Sequence, residues 1–172
     1  MWRWLAYNCR VLLEERDSLA WVLKALREAG SSLVMEILTV DGDMLRQRPS
    51  GDDWCVSEIA AHLRDAEELA LRQVAAIFEG GNTLPFWDID LLPAERDYQG
   101  SDTDEMLAEF RALRRETTSL LWTFSEREWR TSGQHPYRGE ITLETLAREL
   151  AQHDLEHLWQ VRQLKHELLA EA

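Results

Sequence analysis

Residues 143–164 read LETLARELAQHDLEHLWQVRQL, and this stretch decides the fold class. Apolar residues recur in it every three or four positions, which is the period of one face of an α-helix. The stripe consists of Leu143, Leu146, Leu150, Val161 and Leu164. A threonine suited to capping a helix, Thr142, comes directly before it. We expect a helix from there to about Leu169.

The same stripe carries two histidines. Continued from Leu150 in steps of three and four, it passes through His153 and His157. Side chains four residues apart lie on one helix face, about 6 Å apart along the axis. Two imidazoles placed in this way can bind one metal ion, and both are predicted to point into the core.

Helical periodicity recurs in three earlier segments. They cover residues 11–38, residues 55–78 and a region that begins near residues 101–104. Gly30 and the serines that follow it interrupt the first segment, which is either one kinked helix or two short ones. Strand-like alternation is nearly absent, and residues 133–139 are expected to form a loop. Four amphipathic helices predict an all-α four-helix bundle.

The longest predicted connection, residues 82–100, joins the second and third helices. Connections of this length in a compact domain are often functional. This one contains aromatic residues, so we expect it to pack on the bundle, with Trp87 as a candidate pocket wall. It is long enough to cross the end of the bundle, so the two helices need not be antiparallel neighbours.

Length and charge limit the possible functions. The chain has 172 residues, which is the size of one domain, and we predict a single domain over residues 1–172 with residues 1–17 as a possible N-terminal extension. The formal net charge is -13. A strongly acidic surface repels phosphate backbones and anionic lipid headgroups. Neither nucleic acid nor membrane is an expected partner.

Cysteine usage and the N-terminal sequence predict a cytoplasmic location. Cys9 and Cys55 are the two cysteines, and neither belongs to a CxxC pair, so a reducing compartment fits best. Polar residues interrupt the first ten positions, which therefore lack the apolar core of a signal peptide. No stretch approaches the length of a membrane-spanning helix.

A third histidine extends the candidate site. His62 follows Ile59 by three positions and precedes Leu69 by seven, which places it on, or at the edge of, the inward face of the second helix. Together with His153 and His157 it would give a three-nitrogen site with open coordination positions. Such a site is typical of catalytic metals, since structural zinc sites use four protein ligands. Imidazole ligands suit zinc, nickel, copper and iron.

A different interpretation is compatible with the same spacing. A histidine on an apolar helix face is often a core residue whose ring nitrogens are satisfied by hydrogen bonds. HxxxH pairs on helices also arise by chance. Spacing alone therefore leaves metal binding and ordinary core packing both open.

Three segments together resemble a known family. They are RPSGDDWCVSEIAAHL at residues 48–63, GEITL at residues 139–143 and HDLEH at residues 153–157. In order and spacing they are similar to motifs of the DinB/YfiT-like superfamily, which are bacterial metal-binding four-helix bundles. The resemblance implies that His62, His153 and His157 bind a divalent metal, commonly zinc or nickel. It also implies a homodimer.

The resemblance implies a metal-dependent enzyme acting on a small molecule, either a thiol-dependent S-transferase with a low-molecular-weight thiol as cosubstrate or a hydrolase. No residue stands out as a general base, which favours thiol transfer, and the catalytic residues stay unknown. Two alternatives remain open. One is a non-catalytic metal- or ligand-binding stress protein, and the other is a structural dimerising bundle whose histidines are satisfied by hydrogen bonds alone.

Other residues have more ordinary interpretations. Cys55 stands where the family has serine or threonine, and a thiol at a helix N-terminus can be reactive, although a small packed residue is the favoured interpretation. Glu58 could orient a ligand or interact with the helix dipole. Surface positions are expected for His135 and His166. Asp154 is expected to support a ligand or to form a surface pair.

Overall fold

The computed structural model describes residues 19–49, 53–81, 83–88 and 91–171. It contains four long helices, which confirm the predicted all-α four-helix bundle. They are α1 (Leu19–Ile37), α2 (Val56–Phe78), α3 (Thr103–Trp122) and α4 (Leu143–Glu171). The possible N-terminal extension, Cys9 and the predicted first turns of α1 lie outside the described residues.

Helix α1 continues through Gly30 without a break. The reason for a glycine inside this helix is a close approach by α3. A Cβ atom added at Gly30 would lie 2.7 Å from Nη1 of Arg114. The glycine therefore makes room for an arginine and does not end the helix.

Both ends of α2 follow signals in the sequence. Cys55 is the N-cap residue, and its backbone N–H donates to Oε2 of Glu58 at 2.8 Å. This bond satisfies one of the free N–H groups at the helix start. Beyond the C-terminal end, Gly80 has a φ of 77°, the left-handed conformation that commonly terminates helices.

Residues 133–139, which were expected to form a loop, belong to a β-hairpin. Strands β1 (Ser132–His135) and β2 (Gly139–Thr142) pair in antiparallel register. Leu84 at the start of the long connection donates its backbone N–H to the carbonyl of Gln134 at 2.9 Å. The hairpin therefore holds the connection against the end of the bundle.

The connection between α2 and α3 packs along α2, as its aromatic residues predict. Tyr98 is buried against Ala61 of α2, and its hydroxyl donates to Oδ2 of Asp65 at 2.5 Å. Trp87 lies under the guanidinium groups of Arg72 and Arg96, at 5.3 and 5.4 Å from the ring centroid. The same side chain also packs against the apolar cluster that contains Ala61 and Tyr98.

The described core contains three apolar clusters, and the two largest both include residues of α4. On α4, one cluster ends at Ala151 and the other begins at Leu158. The inward face of α4 between these two residues carries the histidine pair. No helix among the described residues is both long enough and apolar enough to span a bilayer.

Candidate metal centre

The structure brings the three predicted histidines together. Nε2 of His153 lies 2.9 Å from Nε2 of His62 and 3.1 Å from Nε2 of His157. One ligand atom from each of the three residues lies within 4.8 Å of the other two. The site joins α2 to α4, because His62 belongs to α2, whereas His153 and His157 belong to α4.

Burial keeps the three imidazoles uncharged. It lowers the pKa of His62 to about 3, with a further contribution from His157. Burial and the neighbouring histidines hold the pKa of His153 well below its ordinary value, and burial also lowers the pKa of His157. At pH 7 all three rings are therefore neutral, and this is the form that binds a metal.

Hydrogen bonds alone cannot satisfy this cluster. A neutral imidazole has one N–H donor and one nitrogen lone pair. Nε2 of His153 faces two other Nε2 atoms but can take part in only one normal bond. Nδ1 of His62 and Nδ1 of His153 are also buried without a described hydrogen-bond partner. One of the two short contacts is therefore unfavourable unless a cation lies between the rings.

The spacing fits a metal ion. Two nitrogens bound at 2.0–2.1 Å to one zinc ion are separated by about 2.9 Å at a right angle and about 3.4 Å at a tetrahedral angle. The separations of 2.9 and 3.1 Å from His153 to its two neighbours fall in this range. Three imidazoles would leave coordination positions for water or a substrate atom.

Gln160 fixes the protonation pattern of one ring. Its Oε1 lies 2.8 Å from Nδ1 of His157. An amide oxygen only accepts, so Nδ1 carries the hydrogen and Nε2 presents its lone pair to the cluster. Gln160 was not among the residues predicted to belong to the site. The spacing of three residues from His157 is the signal that could have identified it.

A buried ionic network lies behind the cluster. Arg114 of α3 donates from Nη1 to Oδ2 of Asp154 at 2.5 Å and from Nη2 to Oε2 of Glu67 at 2.6 Å. Burial raises the pKa of Asp154 to about 6, and Arg114 opposes this shift. Asp154 was expected near the ligands or at the surface, whereas Arg114 and Glu67 were missed. The sequence signal that could have identified Arg114 is its position between Phe110 and Thr117 on an apolar helix face.

Three other candidate residues have no described contact with the three histidines. Cys55 is fully buried, and burial raises the pKa of its thiol, as expected of a packed residue. Glu58 caps α2 and pairs with Arg48 at 2.5 Å. His166 is exposed, as predicted.

The expected surface position of His135 is wrong. The hairpin turns this side chain against Phe86 of the long connection, and the ring centroids lie 5.3 Å apart. His135 is therefore buried, with the backbone N–H of Tyr137 donating to its Nδ1 at 3.2 Å.

Comparisons with known proteins agree with the four-helix bundle fold. The structure of YfiT from Bacillus subtilis, described as "a probable metal-dependent hydrolase with an unusual four-helix bundle topology", superposes with a TM-score of 0.80 at 19% identity, covering 89% of this chain and 91% of YfiT. A mycothiol-dependent maleylpyruvate isomerase superposes with a TM-score of 0.68 at 13% identity, covering 88% of this chain and 62% of the isomerase. No curated protein matches by sequence. The sequence pattern of the DinB superfamily matches residues 15–161. Since that match spans most of its length, the chain belongs to the DinB superfamily.

Proposed function

We propose that this protein is a metal-dependent enzyme that acts on a small molecule through His62, His153 and His157. The observation that carries the proposal is the convergence of three neutral Nε2 atoms at 2.9 and 3.1 Å, on one buried and two half-buried histidines. Sites with three protein ligands and open positions are typical of catalytic metals. The described structural neighbours, a probable metal-dependent hydrolase and a mycothiol-dependent isomerase, support the same class.

Each part of the site has a role in this proposal. A divalent ion held there would lower the pKa of a bound water or thiol and supply a nucleophile at neutral pH. Burial keeps the imidazoles in their ligand form, and Gln160 orients the ring of His157. Trp54 packs edge-on against His62 with ring centroids 5.0 Å apart, which restricts the orientation of that ring.

Thiol transfer is the chemistry that the surroundings favour. The negative charges of two carboxylates oppose the lowering of histidine pKa values by burial. Asp65 acts on the pKa of His62, and Glu156 acts on the pKa of His157. Asp65 is already bonded to arginines and to a tyrosine, and Glu156 accepts from Gln152 at 2.9 Å. Hydrolysis needs a general base to remove a proton from water, whereas a bound thiolate needs less help. We therefore propose a low-molecular-weight thiol as cosubstrate.

An activity screen tests the proposal. Zinc-loaded, nickel-loaded and metal-free protein are given mycothiol, glutathione or cysteine with the electrophile 1-chloro-2,4-dinitrobenzene. Ester hydrolysis is followed in parallel with p-nitrophenyl acetate. We expect metal-dependent conjugation that is lost in His153→Ala and retained in His166→Ala, since His166 is an exposed histidine on the same helix. Equal rates in both variants would argue against an enzyme of this type.

The same site supports a second candidate, a metal-binding protein without turnover. The observation in its favour is that the carboxylates near the cluster already have partners. Stoichiometric metal with no thiol transfer and no hydrolysis would favour it over the enzyme. Unchanged stability in His153→Leu, without any metal binding by the wild type, would instead favour a structural bundle.

We further propose that the metal is zinc or nickel and that the chain acts as a homodimer in the cytoplasm. Neutral imidazole donors suit both metals. The homodimer and the single domain over residues 1–172 are supported by the family resemblance. Sedimentation velocity at micromolar protein concentration distinguishes a dimer from a monomer.

A further inference from the structure

Three charged side chains meet in the core beside the histidines. Arg114 of α3 lies between Glu67 of α2 and Asp154 of α4. The two carboxylate side chains are 0% exposed and the arginine is 7% exposed. Arg114 makes two hydrogen bonds to each carboxylate, at 2.9 and 2.6 Å to Glu67 and at 2.5 and 3.1 Å to Asp154.

Stability is a poor explanation for this network. Removing three charged groups from water is costly, and apolar residues of similar volume often replace such triads without loss of stability. The hydrogen bonding of the network is also incomplete, because Oε1 of Glu67 is buried without a described partner. The three residues therefore call for a role other than holding the core together.

Their position relative to the histidines suggests that role. Asp154 directly follows His153 on α4, and Glu67 lies five residues after His62 on α2. The planar guanidinium group has a fixed arrangement of donors, so binding both carboxylates fixes their separation. The same contacts therefore fix the relation between the two helices that carry the three imidazoles.

Helix α1 holds the arginine from the other side. The carbonyl oxygen of Leu26 accepts from Nη1 of Arg114 at 2.8 Å. Within α3 itself, the ring of Phe110 lies under the guanidinium group, with its centroid 4.9 Å from Cζ of Arg114. Gly30 leaves the space that Nη1 occupies, since a Cβ atom there would approach it to 2.7 Å. Arg114 thus has little freedom to move.

We propose that Arg114 is a positioning residue of the metal centre. Its ion pairs with Glu67 and Asp154 hold His62 and His153 at the separation that binds the ion. This inference rests on the proposed function, because it assumes that the histidines bind a metal.

The first test removes the network but keeps the volume. The triple variant Glu67→Met, Arg114→Met, Asp154→Leu is compared with the wild type for zinc affinity, by competition with a chromophoric chelator at pH 7.5. Circular dichroism and urea unfolding establish whether it folds. We expect a folded protein whose zinc dissociation constant is about 10- to 100-fold higher, the range for lost support of metal ligands. A folded variant with wild-type affinity would overturn the proposal.

The second test moves the arginine without removing a charge. Gly30→Ala places a methyl group against Nη1, whereas Ser31→Ala changes an exposed neighbour on the same helix. We expect zinc binding to weaken several-fold in Gly30→Ala alone. If the triple variant does not fold, this comparison still tests the proposal. Equal zinc affinities in Gly30→Ala and Ser31→Ala would overturn it. A wild type that binds no zinc would instead overturn the proposed function, and the positioning role with it.

Discussion

His153 is the central residue of the cluster, because its Nε2 is the atom that lies close to both other Nε2 atoms. It is also the residue whose immediate neighbour, Asp154, enters the buried network. The ring is neutral because burial and nearby positive groups disfavour its charged form. This residue therefore links ligand geometry, electrostatics and the packing of α4.

The lowered histidine pKa values predict a loss of stability in acid. The unfolded chain has histidine pKa values near 6.5, whereas that of His62 is about 3 in the folded protein. Below pH 6.5 the unfolded state binds more protons, so the free energy of unfolding falls as the pH drops from about 6.5 towards 3. Above pH 6.5 this contribution to stability is fully present.

Urea unfolding of chelator-treated protein at pH 7.5 and 5.5 measures the effect. His62, whose folded pKa of about 3 lies well below both pH values, contributes about 1 kcal/mol to the difference between them. We expect His62→Leu to lose about 1 kcal/mol less than the wild type on acidification. Identical losses in the two proteins would mean that His62 titrates in the folded state as it does in the unfolded chain.

Gln160 provides a second prediction at the level of a residue. Gln160→Leu removes the acceptor for Nδ1 of His157, so both ring tautomers become accessible. We expect zinc affinity to fall about 10-fold or more, measured by chelator competition. Gln160→Glu keeps an acceptor and should preserve binding. The control is Gln163→Leu on the same helix, and equal affinities in the two leucine variants would contradict the role given to Gln160.

Periodicity predicted that the three histidines face the core, because each lies on an apolar stripe, but the family resemblance was needed to interpret them as metal ligands. The Arg114 network could not be identified in this way. Its partners come from three helices, and their pairing depends on how the helices are rotated and aligned in the folded protein. The burial of His135 likewise depends on Phe86, a residue far away in the sequence.

At the level of elements, local signals predicted the helices well. The Asp102 side chain accepts from the backbone N–H groups of Asp104 and Glu105 and so caps α3 near its predicted start. The hairpin was missed for a physical reason. Its strands have four residues each, too few to show the alternation of a half-buried strand.

Packing of the hairpin predicts the effect of a glycine substitution. A Cβ atom at Gly133 would lie 2.5 Å from Cδ2 of Leu84, whereas one at Gly42 meets nothing within 4 Å. We expect Gly133→Ala to lower the free energy of unfolding by about 1–3 kcal/mol, the usual effect of overpacking. Gly42→Ala is the control. Thermal or urea unfolding provides the comparison, and equal stability of the two variants would show that the hairpin adjusts freely.

For the whole molecule, sequence patterns predict the number of helices but not which helices pack against each other. Residues 82–100 are long enough to join α2 and α3 in more than one arrangement. In the structure this connection packs along α2 through Tyr98 and Asp65. The resemblance of three motifs to one family implied the same four-helix bundle that the periodicity predicted.

Metal content is the most direct test of the account. The wild type, His153→Ala and His166→Ala are purified side by side, without an affinity tag or chelator, and measured by elemental mass spectrometry. We expect close to one divalent ion per chain in the wild type and in His166→Ala, and almost none in His153→Ala. A wild type that is free of metal and takes up neither added zinc nor added nickel would contradict the account.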